Sequence, residues 1–196
     1  MSLRYALLAL LTAEPLTGYD AAKRFGASVG HVWHAPDSQI YPELRRMERE
    51  GLIAGEQVRW GPNSTKTRYS ITDEGVRAFR DWMATPLDYA PVRDAAHMRA
   101  AYFEWTDPDR ARECLQRHIE HYTEQIARWR ATREAILDLT NDTIATRMRK
   151  FPVEDHERII AFKAFAYDGL IGRGEAEIAW ARQGLELLDK LAPAEE

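Results

Sequence analysis

The stretch from 37 to 49, DSQIYPELRRMER, concentrates side chains that can donate hydrogen bonds to a polyanion. Ile40, Leu44 and Met47 recur at steps of four and three, so they form one apolar stripe of an α-helix. The residues that this stripe leaves on the opposite face are Ser38, Arg45 and Arg49, with Tyr41 and Arg46 at its edges. Hydroxyl, phenol and guanidinium groups in this arrangement suit contacts to phosphates and to base edges in a DNA groove.

A turn and a hairpin follow this helix. Gly51 can adopt the left-handed conformation that ends a helix. Two short β-prone runs, 56–60 and 67–71, then flank a segment rich in turn-forming residues, 61–66. The hairpin carries Lys66 and Arg68. A helix with an exposed cationic face, followed by a basic two-stranded hairpin, predicts a winged DNA-binding helix.

Other helices of a small domain surround this pair of elements. Residues 3–12 are nearly all apolar and predict a buried first helix. Thr17, with Asp20 three residues later, predicts the N-terminus of a second helix, and Thr72 that of a fourth. Two prolines within 85–92 favour a domain boundary there.

Three ordered motifs resemble the PadR family of bacterial transcriptional regulators. They are Leu16-Thr17-Gly18-Tyr19-Asp20, then Ser38-Gln39-Ile40-Tyr41-Pro42-Glu43-Leu44 with Glu48-Arg49-Glu50-Gly51-Leu52-Ile53, and Arg68-Tyr69-Ser70-Ile71-Thr72-Asp73-Glu74-Gly75. The resemblance covers residues 1 to about 85 strongly and the helical remainder more weakly. It implies a dimeric repressor that a small molecule releases from DNA.

The second half of the chain is predicted to be helical. Residues 93–105 favour a short aromatic-ended helix, and Asp107-Pro108 begins a long helix that extends to about 139. That long helix carries an apolar heptad stripe: Leu115, Ile119, Tyr122, Ile126, Trp129 and Ile136. Its expected partner is the segment 154–191. The glycines within that partner, Gly169, Gly172 and Gly174, predict either a helix break or a close helix crossing.

Charge and cysteine content limit the classes of function. The formal net charge is −4, but residues 1–85 hold 11 Lys/Arg against 10 Asp/Glu, whereas residues 86–196 hold 16 against 21. A DNA-binding surface would therefore depend on a local cluster of cations rather than on the charge of the whole domain. The single cysteine, Cys114, and the lack of an expected signal peptide or membrane-spanning segment favour a cytoplasmic protein.

The sequence offers little support for catalysis. His118 and His121 lie near Glu120 and Glu124, but an exposed polar helix face explains this pattern better than a metal site does. We expect no metal, no cofactor and no enzymatic activity. Aromatic side chains in the C-terminal half could instead bind a flat organic effector, and the candidates are Tyr102, Trp105, Tyr122 and Trp129.

Together these patterns predict a mainly α protein: an N-terminal winged helix-turn-helix, made of a three-helix core and a two-stranded β wing, followed by an all-helical dimerisation domain. The predicted boundaries are 1–85 for the winged helix-turn-helix domain, 86–92 for a linker and 93–196 for the helical domain. We predict a homodimeric repressor that binds a palindromic double-stranded operator. The predicted DNA contacts are Ser38, Gln39, Tyr41, Arg45, Arg46, Arg49, Lys66 and Arg68. The alternative is a winged-helix module that binds proteins rather than DNA.

Overall fold

A computed structural model describes residues 3–28, 35–61, 64–87, 89 and 93–191. Its elements, in chain order, are α1 (Leu3–Leu11), β1 (Leu16–Thr17), α2 (Gly18–Ser28), α3 (Asp37–Arg49), β2 (Ile53–Trp60), β3 (Ser64–Ile71), α4 (Asp73–Ala84), α5 (Ala95–Ala100), a single 3-10 turn (Phe103–Trp105), α6 (Pro108–Leu137), α7 (Asp142–Lys150) and α8 (Val153–Leu191). The chain forms two compact units: residues 1–88 with 142–153, and residues 89–141 with 154–196.

The first unit is built around a single apolar core. The predicted stripe of α3 is buried there, with Ile40, Leu44 and Met47 each no more than 1% exposed. Leu7, Leu8 and Leu11 from α1 and Phe25 from α2 share the same cluster. Burial of such side chains stabilises the fold by roughly 1.5–3 kcal/mol each. The core therefore determines which face of α3 points outward.

The expected two-stranded wing is present as β2 and β3, and a third strand joins it. Three antiparallel strands lie in the order β1-β3-β2, with Leu16 opposite Tyr69 and Ile53 opposite Ile71. β2 and β3 each have eight residues: they begin three residues before the predicted runs and end at the predicted residues, Trp60 and Ile71. The third strand, β1, is only two residues long, which is too short for an alternating pattern to reveal it.

The turn between α3 and β2 has the predicted left-handed residue. Gly51 has a φ of 75°. The Leu52 amide donates to the Met47 carbonyl and the Gly51 amide donates to the Glu48 carbonyl, both at 3.0 Å. This pair of hydrogen bonds is a Schellman motif, which satisfies the last carbonyls of α3 and directs Leu52 back into the core.

Residues 142–153 lie in the first unit, although the predicted division at 93–196 placed them in the C-terminal domain. The Arg147 guanidinium of α7 donates to the Ala9 carbonyl at 2.8 Å. Ala9 is in the last turn of α1, where carbonyls lack helical partners. Ile144 and Thr146 are also buried. A contact between residues 138 positions apart leaves no local signal in the sequence.

The second unit centres on the pairing of α6 with α8. Asp107 caps α6 as predicted, with its side chain accepting from the Asp109 amide at 2.9 Å. α8 continues unbroken for 39 residues, so its glycines do not break the helix. Gly174 marks a close helix crossing, whereas nothing lies within 4 Å of the Cβ positions of Gly169 and Gly172. A Cβ atom built on Gly174 would lie 2.9 Å from Cγ1 of Ile126, and one built on Gly184 would lie 2.9 Å from Cδ1 of Leu115.

Ion pairs border this helix pairing. Arg112, Arg130 and Arg133 of α6 each contact a carboxylate of α8 at 2.6 Å. The predicted aromatic-ended helix at 93–105 is instead the six-residue α5 followed by the 3-10 turn, and α5 contains no buried residue. None of the described helices combines the length and the hydropathy needed to cross a bilayer.

Candidate functional site

The outward face of α3 is the main candidate surface. Ser38, Gln39, Tyr41, Arg45, Arg46 and Arg49 are all exposed, as the apolar stripe predicted. Ser38, Tyr41, Arg45 and Arg49 follow one another at steps of three, four and four, so they share one side of the helix. Among the described residues, no carboxylate lies within ion-pair distance of Arg45 or Arg49. Their guanidinium groups therefore keep their donors available to an external ligand.

The neighbouring cation, Arg46, is in a different situation. Its Nε donates to Oε1 of Glu50 at 2.9 Å, and Arg4 of α1 contacts Glu50 at 2.7 Å and Glu43 at 3.1 Å. Hydrogen bonding from Arg46, and then from Arg4, lowers the pKa of Glu50, which keeps that carboxylate charged. Part of the positive charge of Arg46 is thus neutralised within the protein.

Tyr41 packs against the beginning of α2. A Cβ atom built on Gly18 would lie 2.6 Å from Cε1 of the Tyr41 ring, closer than real Cβ contacts allow. Thr17 precedes this glycine, and its hydroxyl accepts from the Asp20 amide at 3.2 Å, as the predicted cap requires. Gly18 thus leaves room for the aromatic ring, whose exposed fraction is 38%.

The wing holds both predicted cations, but each has a partner that the sequence did not indicate. Arg68 is opposite Glu56 in the β2–β3 register, and its guanidinium contacts that carboxylate at 2.9 Å. The Lys66 ammonium lies over the Trp60 ring, 3.5 Å from its centroid, and 5.5 Å from that of Tyr19. Lys66, which was predicted in the turn, lies in β3 together with Arg68.

The candidate effector residues are dispersed in the second unit. Trp129 is buried beside Gly174, Tyr122 is half-buried, and Tyr102 and Trp105 are exposed. Two cavities of about 300 and 630 Å³ lie near them, and Phe103, Leu115 and Trp180 line both. None of the four predicted residues lines these two cavities. Phe103, which does line both cavities, is adjacent in the sequence to the predicted residue Tyr102.

The sequence model of the Transcriptional regulator PadR-like family matches residues 7–81, which include the second half of α1, the sheet and the whole of α3. Residues 7–81 of the chain thus form a PadR-like domain. Its PadR-like region is 36% identical over 104 residues to the Negative transcriptional regulator PadR of Bacillus subtilis, an alignment that covers 52% of this chain and 56% of that protein. The chain thus spans about half the length of the curated relatives it matches.

Crystal structures extend the likeness to both units of this PadR-like chain. Bacillus subtilis PadR in complex with operator DNA has a TM-score of 0.76 at 22% identity, over 95% of this chain and 98% of that one. The same protein in complex with p-coumaric acid has a TM-score of 0.71 at 22% identity, over 95% of each chain. The PadR-like regulator BC1756 of Bacillus cereus has a TM-score of 0.70 at 26% identity, over 96% and 99%. The similarity to the two Bacillus subtilis PadR structures, at 22% sequence identity, shows a shared fold.

Substitutions of two glycines in α2 test the packing of Tyr41. Gly18→Ala should lower the free energy of unfolding by about 1–3 kcal/mol, because the added methyl displaces the aromatic ring. Gly26→Ala is the matched control, since nothing lies within 4 Å of its Cβ position. It should raise the free energy of unfolding by about 0.5–1 kcal/mol. Urea unfolding measures both, and equal effects of the two variants would contradict the packing.

Proposed function

We propose that the chain is a DNA-binding transcriptional regulator that places α3 in the major groove and the β2–β3 wing along the backbone. The observation that carries this proposal is the exposed face of α3 with Arg45 and Arg49, whose guanidinium groups have no carboxylate partner among the described residues. Cations already paired within a protein lose part of their attraction for phosphate, whereas unpaired ones retain it. The match of residues 7–81 to the PadR-like family model supports the same function.

Individual roles follow from these surroundings. Arg45 and Arg49 are positioned to contact base edges or phosphates. Tyr41, held by Gly18, suits a phosphate contact that positions the protein without reading sequence. Ser38 and Gln39, in the first turn of α3, are close to where a recognition helix enters the groove. Arg46, Lys66 and Arg68 contribute less, because Glu50, Trp60 and Glu56 already engage them.

We further propose a homodimer on a palindromic operator, since one recognition helix reads only a few base pairs. A second apolar face of α8 supports this proposal. At 3.6 residues per turn its members fall within an arc of roughly 100°, away from the buried Ala164, Tyr167 and Gly174. They are Phe162, Phe165, Gly169, Gly172, Ala176, Leu187 and Leu191, all exposed. Exposed aromatic side chains of this kind favour a protein partner.

Repression and release by a small organic effector complete the proposal. The Bacillus subtilis relative is named a negative regulator, and one of its structures contains p-coumaric acid. In this chain the larger cavity, about 630 Å³, offers Phe103 and Trp180 as apolar walls for an aromatic compound. Arg99 and Arg117 line the smaller cavity and could bind a carboxylate. Tyr102, Trp105, Tyr122 and Trp129 remain candidate contacts of this effector.

The competing function is a winged-helix module that binds a protein. The near-neutral charge of residues 1–85 is compatible with it. A titration of DNA from upstream of the chain's own gene, repeated across a salt series, separates the two functions. A regulator should bind with an affinity that falls steeply with salt and should be displaced only by the same sequence.

Arg45→Ala and Arg49→Ala should each weaken binding to the operator without changing the thermal unfolding midpoint, because both residues are exposed on α3. If one of these side chains contacts a base, its removal should lower the free-energy difference between the correct and an incorrect base at that position by about 1–3 kcal/mol. Arg77→Ala is the control, since Arg77 lies on α4 and is paired with Glu74. Fluorescence anisotropy with labelled operator measures all three, and unchanged affinity in both α3 variants would remove α3 from the interface.

Lys66→Ala combined with Arg68→Ala should reduce the slope of log affinity against log salt by about one unit per lost phosphate contact. Glu56→Gln provides the opposite change, because it releases Arg68 from its ion pair at 2.9 Å. We expect this variant to bind DNA at least as tightly as the parent protein. Weaker binding by Glu56→Gln, or an unaltered slope in the double variant, would argue that the wing does not contact DNA.

Phe162→Asp with Phe165→Asp should dissociate the dimer, because two carboxylates would be desolvated at its interface. Helicity should persist, since both side chains are about 70% exposed in the single chain. Gln116→Asp with Thr123→Asp adds the same charge to exposed positions of α6 as a control. Sedimentation velocity at micromolar concentration measures the mass. A parent protein that is monomeric, or a Phe162/Phe165 variant that remains dimeric, would exclude this face as the interface.

A further inference from the structure

A cluster of metal-binding side chains lies in the second unit. Asp94, His97 and Glu177 each present one ligand atom, and these atoms all lie within 4.8 Å of one another. Asp94 is the N-cap of α5, His97 is in its first turn, and Glu177 is in α8. Residues 80 positions apart in the sequence thus converge on one point, which the sequence alone did not indicate.

Two histidine–carboxylate contacts organise the cluster. Nδ1 of His97 lies 2.9 Å from Oδ2 of Asp94, and Nε2 of His118 lies 3.1 Å from Oε2 of Glu177. The amides of Ala96 and His97 donate to Oδ1 of Asp94 at 3.1 and 3.0 Å. These amides fix the carboxylate so that its other oxygen faces the imidazole. Both carboxylates therefore have defined orientations before any ligand arrives.

Trp180 holds both imidazole rings. The His97 ring stacks on it with centroids 4.0 Å apart and an interplanar angle of 22°. The His118 ring meets it edge-on at 5.3 Å. An indole that contacts both rings restricts their rotation, which lowers the entropic cost of ordering them around a ligand.

The side-chain types of the cluster suit a cation. Asp94 and Glu177 supply two carboxylates, and His97 supplies an imidazole. Imidazole nitrogen and carboxylate oxygen are also the ligand types that zinc accepts besides thiolate.

We propose that Asp94, His97 and Glu177 bind one Zn²⁺ ion, with His118 hydrogen bonded to Glu177. Zinc bonds to these atoms are about 2.0–2.2 Å long, so tetrahedral ligand atoms lie about 3.3–3.5 Å apart. The 2.9 Å contact in the cluster and its 4.8 Å limit bracket that spacing, so small side-chain rotations suffice. Three protein ligands leave a fourth position for water or an exogenous ligand.

The ion would add a second tertiary contact to α5, beside the stacking of His97 on Trp180. α5 has six residues and none of them is buried, so little apolar packing holds it. Zn²⁺ would connect Asp94 and His97 directly to Glu177 of α8. Because it binds the folded arrangement, it should stabilise that arrangement in proportion to the logarithm of its free concentration.

Calorimetric titration of the tag-free, chelator-treated full-length protein with ZnSO₄ tests the site, and the absorption spectrum of added Co²⁺ reports its ligand geometry. We expect one ion per chain and the intense visible bands of a low-coordinate cobalt site. His97→Ala and Glu177→Gln should each weaken binding at least tenfold. His121→Ala is the matched control, because His121 is exposed on α6 outside the cluster. The affinity of this variant for Zn²⁺ should equal that of the parent protein.

These measurements contain no DNA, so their outcome does not depend on the proposed regulatory function. Circular dichroism of each variant establishes that it is folded. Absence of saturable Zn²⁺ binding by the parent protein would overturn the site. Binding that survives in both His97→Ala and Glu177→Gln would also overturn it, because the ion would then bind elsewhere.

Discussion

Burial of one stripe of α3 determines the geometry of the candidate DNA surface. Ile40, Leu44 and Met47 are almost inaccessible, so the helix cannot rotate without exposing them to water. Loss of their burial would cost roughly 1.5–3 kcal/mol per side chain. The rotation of α3 about its axis is thereby fixed, and Arg45 and Arg49 must point outward. A hydrophobic constraint thus sets the orientation of a polar surface.

Much of the first unit is predictable because its signals are local. The apolar periodicity of α3, the Thr17 and Thr72 caps and the left-handed Gly51 each depend on residues within a few positions of one another. The strand Leu16–Thr17 and the contact of Arg147 with Ala9 were not predicted. Both depend on partners distant in the sequence, and neither has a repeating pattern that could reveal it.

The exposure of the candidate DNA-contact residues on α3 was predictable, but their electrostatic surroundings were less so. The exposure of the α3 cations follows from helical geometry alone. The interaction partners of the cations do not follow from helical geometry, because they depend on side-chain positions. They are the ion pairs Arg46–Glu50 and Arg68–Glu56 and the stacking of Lys66 on Trp60. These contacts divide the eight predicted DNA-contact residues into those whose donors are free and those whose donors are already engaged within the protein. The gathering of Asp94, His97 and Glu177 is a similar case, since it appears only once α5 is beside α8.

The two close glycine contacts of the second unit have a mechanical consequence. Gly174 faces Ile126 and Gly184 faces Leu115, and in both places a β-carbon would be too close. If α8 slid along α6 by a single residue, larger side chains would meet those two apolar groups. The contacts therefore prevent α8 from sliding along the axis of α6. The two helices can transmit a displacement only by moving together as a rigid pair.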